Sequence, residues 1–252
     1  MAPGAVLAMK LKLLQANIWG GRLEKQIVEL LKKEQADIVC LQEAISTPGE
    51  GVLGITVEQL QKLCGYKYAY VSPVFSFDLM GKEAGFGNTI LSKLPLLDTE
   101  TTFTRLQHRA KFSFDTDDYN IRNLQHVGIT VSDRVLHILN HHGHHVPDHK
   151  DGDQETERQC DIIAQKISSL DGPIVLAGDF NLSPHSKSLG QINRVLKNLS
   201  IEAGLQTTRT QLTHKKEVCD YIFVNNDMRV QSFRALDDLV SDHKALVLEF
   251  DC

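Results

Sequence analysis

The sequence lacks the phosphate-binding P-loop and the G-x-S-x-G elbow of serine hydrolases. It therefore gives no support to nucleoside-triphosphate hydrolysis or α/β-hydrolase chemistry. No stretch approaches the roughly 20 apolar residues that span a bilayer, so we predict no membrane partner.

An excess of positive charge is also missing. The chain has 27 Lys and Arg residues against 32 Asp and Glu, which gives a net charge of −5. Because non-specific binding to nucleic acid depends on cationic side chains, this balance disfavours binding through bulk charge and leaves only a local basic groove.

The cysteines are few, and their spacing shows no pairing motif. There are five, an odd number, and no two form a C-x-x-C pair. This pattern argues against a disulfide framework and against a structural zinc site, and it fits a reducing compartment. We therefore expect a soluble, cytoplasmic protein.

The composition predicts one folded domain. Hydrophobic residues make up 42% of the 252 residues, enough for a sizeable core. No repeat, low-complexity tract or long Pro/Gly/Ser linker divides the chain. We predict a disordered lead over residues 1–10 and a single domain over 11–252, which we expect to be monomeric.

Strand and helix patterns alternate along the chain. Helical spacing of apolar residues predicts four helices, and a capping box predicts where the second begins. A turn at Ser132-Asp133 predicts a hairpin. The helices are expected after Gly20-Gly21, from Thr56 with Leu63 facing inward, over 155–170 and over 189–199; the strands over 11–16, 37–42, 66–71, 88–91, 124–131, 135–141, 174–177, 221–224 and 245–250. This order favours an α/β fold with two packed mixed sheets and helices outside.

Polar side chains cluster at the ends of these predicted strands. Five follow a strand: Asn17, Glu43, His142, Asp179 and Asn181. Three precede one: Asp220, Asp242 and His243. If the last strands run antiparallel to the others, all eight meet at one rim. Clustered carboxylates repel one another unless a cation or a proton compensates.

The donor types predict a hard metal ion. Carboxylate oxygens such as those of Glu43 and Asp242 suit Mg²⁺, with Mn²⁺ as a substitute, whereas zinc would favour more histidine or cysteine at short spacing. Carboxylates, a hard cation and two histidines are suited to the attack of water on a phosphorus centre.

Six motifs in this order resemble the endonuclease/exonuclease/phosphatase superfamily. They are QANIWGG, VCLQEA, ILNHHG, GDFN, CDYIFV and SDH, spread over about residues 11–250. The resemblance implies a four-layer α/β/β/α sandwich and Mg²⁺-dependent cleavage of phosphoesters. It also implies that Glu43 is the principal metal ligand, with Asn17 and Asp242 nearby.

The resemblance implies roles for the remaining motif residues. Asp179 would orient or deprotonate the attacking water. Asn181 and His142 would hydrogen-bond the phosphoryl oxygens. His243, oriented by Asp220, would contact the phosphate or assist proton transfer.

Four further residues are candidates for binding substrate. Arg122 lies where many members of the family carry a basic residue near the site. Arg105 and Arg109 belong to a segment, 103–119, whose basic and aromatic residues suit single-stranded nucleic acid. Trp19, beside Asn17, is a candidate for base stacking, although packing is the commoner role for tryptophan.

These observations favour a Mg²⁺-dependent phosphodiesterase or nuclease acting on DNA or RNA, with a role in DNA repair. The Asn-x-Trp-Gly pattern resembles tyrosyl-DNA phosphodiesterases, and GDFN followed by Leu-Ser-Pro resembles nucleases and deadenylases. A phosphomonoesterase or lipid phosphodiesterase on the same scaffold is the alternative. A second alternative is a binding module without activity.

Overall fold

The computed structural model describes residues 9–47 and 53–252. Within them the chain forms five α-helices and twelve β-strands. The helices are α1 (Glu24–Glu34), α2 (Val57–Cys64), α3 (Gln154–Ser168), α4 (Gly190–Asn193) and α5 (Leu199–Glu202). The strands are β1 (Lys10–Asn17), β2 (Ile38–Ser46), β3 (Tyr68–Leu79), β4 (Lys82–Ser92), β5 (Leu97–Arg105), β6 (Arg122–Val131), β7 (Arg134–His142), β8 (Ile174–Asp179), β9 (Lys197–Asn198), β10 (Asp220–Val224), β11 (Arg229–Ala235) and β12 (Leu246–Asp251).

The strands form two mixed six-stranded sheets. One has the order β11-β12-β1-β2-β4-β3 and the other β5-β6-β7-β8-β10-β9. Apolar side chains from both sheets, among them Leu13, Ile138 and Ile222, are buried together between them. A second core joins the first sheet to α1 and α2, and a third joins the other sheet to α3. The predicted four-layer sandwich is therefore confirmed.

Strand direction brings the polar strand ends together. β1 pairs parallel with β2 and antiparallel with β12. In the other sheet, β8 pairs parallel with β7 and antiparallel with β10. The downstream ends of β1, β7 and β8 thus lie beside the upstream ends of β10 and β12, as expected for antiparallel last strands.

Several sequence predictions are confirmed. The capping box at Thr56 and Gln59 begins α2, because the Thr56 hydroxyl accepts from the Gln59 amide and the Gln59 side chain accepts from the Thr56 amide. The hairpin of β6 and β7 turns at Ser132-Asp133. Most other predicted strands are present but one to seven residues longer.

Two local predictions are wrong, two strands were missed, and one predicted boundary shifts. The helix expected over 189–199 is broken into α4, β9 and α5. Leu63 is 48% exposed and does not face inward. β5 and β11 were not predicted, because their polar residues hide the strand pattern. Of the predicted lead, Met9 and Lys10 pair with the end of β12, and the rest lies outside the described residues.

Across the described ranges, we find no helix with the length and hydropathy needed to cross a bilayer.

Candidate active site

A β-bulge in β2 positions Glu43. The strand was expected to end at Gln42, but it continues to Ser46 with a register shift between Leu41 and Ala44. Glu43 takes a positive φ of 55° at this shift. An extra residue in a strand bends it and redirects a side chain. The bulge thus turns the Glu43 carboxylate toward the end of β1.

Asn17, the last residue of β1, connects the two sheets. Its Nδ2 donates to Glu43 Oε1 at 3.0 Å and to Asp179 Oδ2 at 3.2 Å. Its Oδ1 accepts from the Trp19 backbone amide at 3.1 Å. One buried amide therefore holds a carboxylate from each sheet in a single cluster.

The GDFN segment continues this cluster on the second sheet. A Cβ on Gly178 would lie 1.9 Å from the His141 carbonyl oxygen, so only glycine allows β8 to pack this closely. Asn181 has a φ of 56°, and its backbone amide donates to Asp179 Oδ1 at 2.9 Å. Burial alone would raise the pKa of Asp179, but the neighbouring His243 and His142 hold it well below its usual range.

His243 lies between two aspartates. Its Nδ1 is 2.8 Å from Asp220 Oδ2, and its Nε2 is 3.5 Å from Asp179 Oδ2. Gln15 Nε2 donates to the other Asp220 oxygen at 3.1 Å. Burial would lower the pKa of His243, but the charges of Asp220 and Asp179 outweigh it and raise the pKa to about 9. The imidazole is therefore cationic near neutral pH.

His142 faces the same cluster from the end of β7. Its Nε2 is 3.7 Å from Asp179 Oδ2 and 3.9 Å from Glu43 Oε1. Burial, with the charge of Arg122, drives its pKa well below the usual value, so this imidazole is neutral. His141 points to the opposite face, where its ring contacts the Asn123 carbonyl and Phe180.

Arg122 lies buried beside the two carboxylates. Its guanidinium donates to the backbone carbonyls of Gly143 at 2.6 Å and Ile121 at 2.8 Å. Burial lowers its pKa to about 10, against the raising effect of Glu43 and Asp179. It supplies a fixed positive charge at the cluster.

Two cationic residues at the cluster were missed by the sequence analysis. Arg209 is buried, donates to Asp242 Oδ2 at 3.2 Å and packs its Nη1 against His243 Nε2. Lys150 is buried, and its Nζ donates to Asn181 Oδ1 at 2.8 Å. Both lie in irregular segments, so neither shows a strand-end signal.

The donor set fits a hard divalent cation. Within the described ranges, Glu43 Oε2 and Asp242 Oδ1 accept no hydrogen bond, so each is available as a ligand. Burial raises the pKa of Glu43, which a bound cation would offset. Oxygen atoms of this type are the ligands that Mg²⁺ prefers. Asp179, Asp220 and His243 also bring donor atoms within 4.8 Å of one another. We do not assign this group as the metal site, because both His243 nitrogens face aspartates.

The predicted substrate residues divide into two groups. Trp19 and Arg122 line the cleft that contains the cluster. Arg105 and Arg109 do not reach it: Arg105 pairs with Asp118 at 2.8 Å, and Arg109 pairs with Asp117 at 3.1 Å. The 103–119 segment therefore does not present a free basic platform at the cluster.

Two adjoining cavities open at the cluster. The polar cleft, of about 180 Å³, is lined by Asp179, Asn181, Arg209, Asp242 and His243 among others. The phenylalanine cavity, of about 570 Å³, has an apolar lining of Phe75, Phe77, Phe86, Phe112, Phe114, Ile45 and Leu53. They share five wall residues: Trp19, Glu43, Tyr119, Arg122 and His142.

A two-sheet sandwich with a carboxylate, amide and histidine cluster at one rim defines a class of hydrolytic phosphoesterases. The model of the endonuclease/exonuclease/phosphatase family matches residues 14–243, and the chain belongs to this family. The family is named for enzymes that cleave phosphoester bonds, and the matched region is a domain of this family.

Solved structures of low sequence identity share the fold. An endonuclease/exonuclease/phosphatase from Beutenbergia cavernae has a TM-score of 0.70 at 19% identity, covering 96% of this chain and 71% of that one. A Bacteroides thetaiotaomicron mannosyl-6-phosphatase has 0.71 at 16%, covering 95% and 99%. D. rerio TDP2 complexed with a single-strand DNA product has 0.69 at 18%, covering 96% and 99%.

A curated relative matches only a part of the chain. A UPF0294 protein of Yersinia pseudotuberculosis is 34% identical over 97 residues. The match covers 37% of this chain and 35% of that protein, so it spans about a third of the relative's length.

Proposed function

We propose that this chain hydrolyses phosphodiesters by Mg²⁺-assisted, in-line attack of water in the polar cleft. The observation that carries the proposal is the Asn17 amide, which ties Glu43 of one sheet to Asp179 of the other within 3.2 Å. We propose Glu43, Asn17 and Asp242 as the residues that hold the metal. When bound, the metal supplies Lewis-acid polarisation of a phosphoryl oxygen.

Asp179 and His243 have complementary roles: Asp179 accepts a hydrogen bond, and His243 donates one. Because its pKa lies well below the usual range, Asp179 stays ionised and accepts a hydrogen bond from the attacking water, which orients it. It is a weak base, so orientation is its main role. His243, with a pKa of about 9, donates its Nε2 hydrogen to the phosphate as charge develops there.

The other residues hold the phosphate. Asn181, fixed by Lys150, and neutral His142 contact phosphoryl oxygens, and Asp220 keeps the His243 ring in place through the 2.8 Å contact with Nδ1. Arg122 contributes positive charge from its buried position. Preorganised donors of this kind stabilise the transition state because they need no reorganisation during the reaction.

Nucleic acid is the substrate that the sequence analysis favours. The DNA product in the D. rerio TDP2 structure supports it, as do the cationic residues of the polar cleft, Arg122, Arg209 and Lys215. The mannosyl-6-phosphatase of similar fold supports a phosphomonoester instead. Arg105 and Arg109, engaged with aspartates, add no support for nucleic acid.

The proposal is tested with EDTA-treated protein on bis-p-nitrophenyl phosphate and p-nitrophenyl phosphate. We expect hydrolysis of the diester only after Mg²⁺ or Mn²⁺ is added. Asp179→Asn and Glu43→Gln should each lower kcat by at least roughly 100-fold, the usual cost of losing one preorganised catalytic group. Single-stranded DNA, double-stranded DNA and RNA complete the panel.

Glu29→Gln is the matched control, because Glu29 is an exposed carboxylate on α1 and its loss should leave kcat unchanged. Near-wild-type activity of Asp179→Asn, in protein that unfolds cooperatively like the parent, would contradict the water-orienting role. Metal-independent hydrolysis would contradict the proposal as a whole.

A further inference from the structure

The phenylalanine cavity opens beside the candidate site but takes no part in the chemistry proposed for it. Its volume of about 570 Å³ lies within the range of roughly 300–1,000 Å³ typical of pockets for small organic ligands. It shares Glu43, Arg122 and His142 with the polar cleft. A substituent of a phosphoester held in the polar cleft would therefore reach into this cavity.

The apolar wall of the cavity is built from a packed aromatic cluster. Phe75 is stacked between Phe112, at 4.0 Å and 17°, and Phe86, at 5.0 Å and 12°. Phe114 forms T-shaped contacts with Phe112 at 5.1 Å and with Phe77 at 5.4 Å. The long β3–β4 hairpin supplies three of these rings and the segment after β5 supplies two.

Polarity is distributed unevenly around the cavity. Among the described residues that line it, the charged and hydrogen-bonding side chains lie at the end shared with the polar cleft, together with Arg22. The guanidinium of Arg22 lies 4.5 Å above the Trp19 ring. The rest of the described lining, apart from Gly20, is apolar: Ile45, Leu53 and the phenylalanines. The part shared with the polar cleft thus suits an anion, and the rest suits hydrocarbon.

A nucleobase fits the apolar part of the cavity poorly. Its edge carries several hydrogen-bonding atoms, and burying such atoms without partners is costly. Flipped bases are normally read by hydrogen bonds to that edge and by stacking between ring faces. Here both faces of Phe75 are already covered by Phe86 and Phe112. An alkyl or acyl chain needs neither kind of contact.

We propose that the phenylalanine cavity binds a hydrocarbon chain of the phosphoester substrate while the phosphate lies in the polar cleft. This inference rests on the proposed function for the phosphate. It identifies the substrate as an amphiphilic phosphodiester rather than the nucleic acid that the sequence analysis favours, with the hydrocarbon chain as the feature that the enzyme selects.

Three chromogenic diesters with a common leaving group test the proposal. They are the p-nitrophenyl esters of methyl phosphate, octyl phosphate and thymidine monophosphate. Each fully buried methylene is worth a gain of about fourfold. We therefore expect kcat/KM for the octyl ester to exceed that for the methyl ester by at least roughly 30-fold. A ratio near one, or a preference for the thymidine ester, would overturn the proposal.

Variants assign the preference to the cavity. Phe114 is 68% exposed, so Phe114→Ser should fold normally while it removes apolar wall. We expect its octyl-to-methyl ratio to fall by at least roughly tenfold, since the chain loses buried contact. The control is Leu106→Ser, an exposed apolar residue outside the cavity, which should leave the ratio unchanged. An unchanged ratio in Phe114→Ser would contradict the assignment.

A binding measurement separates this proposal from the proposed function. Trp19 is the sole tryptophan of the chain and lines the cavity, so its fluorescence reports on occupancy without turnover. In EDTA, octyl phosphate should change the emission at a concentration at least roughly tenfold lower than methyl phosphate does. Equal binding would overturn the cavity proposal. Absence of any hydrolysis with tight octyl phosphate binding would overturn only the proposed function.

Discussion

Arg209 contacts both side chains of the Asp242-His243 pair. It is buried, it donates to Asp242 Oδ2 at 3.2 Å, and it packs against His243 Nε2. Burial would lower its pKa, but Asp179, Cys219 and the neighbouring aspartates outweigh that effect and raise it, so the guanidinium stays charged. Its planar fork can hold a carboxylate in a fixed orientation, which a lysine ammonium cannot do.

Replacing Arg209 by lysine should therefore impair catalysis more than folding. We expect Arg209→Lys to lower kcat by roughly 10- to 100-fold, the usual cost of losing a group that orients a metal ligand, with a smaller change in KM. Steady-state kinetics and urea unfolding measure the two effects. Arg194→Lys, an exposed arginine, is the control. An unchanged kcat in Arg209→Lys would contradict the positioning role.

The sequence predicted the residues at strand ends and missed those in irregular segments. Glu43 and Asp179 could be found because an apolar run stops beside each of them, and strand ends on one edge of a sheet meet. Arg209 could not, because it reaches the site through an isolated bridge to His243 rather than through a strand. Lys150 likewise comes from a loop. Such long-range placement leaves no local periodicity to detect.

Elements with one apolar face were predictable, and the edge strands β5, β9 and β11 were not. Helix α3 shows buried residues at helical spacing and was expected with nearly correct bounds. Strand β5 is an edge strand whose first four residues are exposed, so its sequence lacks a buried run. The bulge that redirects Glu43 was also beyond prediction, since a positive φ at glutamate is set by neighbouring strands and not by the residue itself.

A histidine pair links the two strands of the β6–β7 hairpin. His126 Nε2 lies 3.0 Å from His137 Nδ1, and His137 Nε2 lies 3.1 Å from the Asp171 carbonyl oxygen. His126 is buried, and its Nδ1 has no partner within the described part of the chain. Burial, together with the charge of Lys166, lowers its pKa to about 4.

This pKa makes the hairpin sensitive to acid. The unfolded chain takes up a proton on His126 near pH 6.5, while the folded chain resists until about pH 4. The contribution of neutral His126 to the free energy of unfolding is therefore complete above about pH 6.5. It is lost as the pH falls toward 4, by about 1.4 kcal/mol per pH unit. In His126→Gln we expect a smaller slope of unfolding free energy against pH, measured by urea unfolding between pH 6.5 and 4.5. The decrease should correspond to about one fewer proton taken up on unfolding. Exposed His185→Gln should keep the wild-type slope; an unchanged slope in His126→Gln would contradict the assignment.

At the scale of the whole molecule, buried amides connect the two sheets. Gln42 Nε2 donates to Asn140 Oδ1 at 2.6 Å, and Asn140 Nδ2 donates to Gln125 Oε1 at 2.9 Å. Gln15 extends this hydrogen-bond network: its Nε2 donates to Gln42 Oε1 at 2.7 Å and to Asp220 Oδ1 at 3.1 Å. Because unpaired buried amides are costly, this network fixes how the sheets pack and so places Asp220 behind His243.

The same packing gathers carboxylates from both sheets into a small volume. Glu43 and Asp179 lie on either side of Asn17, and Asp242 and Asp220 flank His243. Burial raises the pKa of Glu43, and the charge of Asp179 adds to that effect. The metal-free protein therefore contains a local electrostatic cost that a divalent cation would relieve.

Mg²⁺ should accordingly stabilise the folded chain, and Glu43 should control the response. At a Mg²⁺ concentration ten times its Kd, the gain is about 1.4 kcal/mol, or a rise in Tm of roughly 3–6 °C for a chain of this size. Glu43→Gln should raise the Tm measured in EDTA, because a buried charge is removed, and should abolish the rise with Mg²⁺. Exposed Glu29→Gln should respond like the parent. If Glu43→Gln kept the full Mg²⁺ response, the cation would bind elsewhere. The difference in Tm between the metal-free and the Mg²⁺-bound parent would then need a cause other than the Glu43 carboxylate.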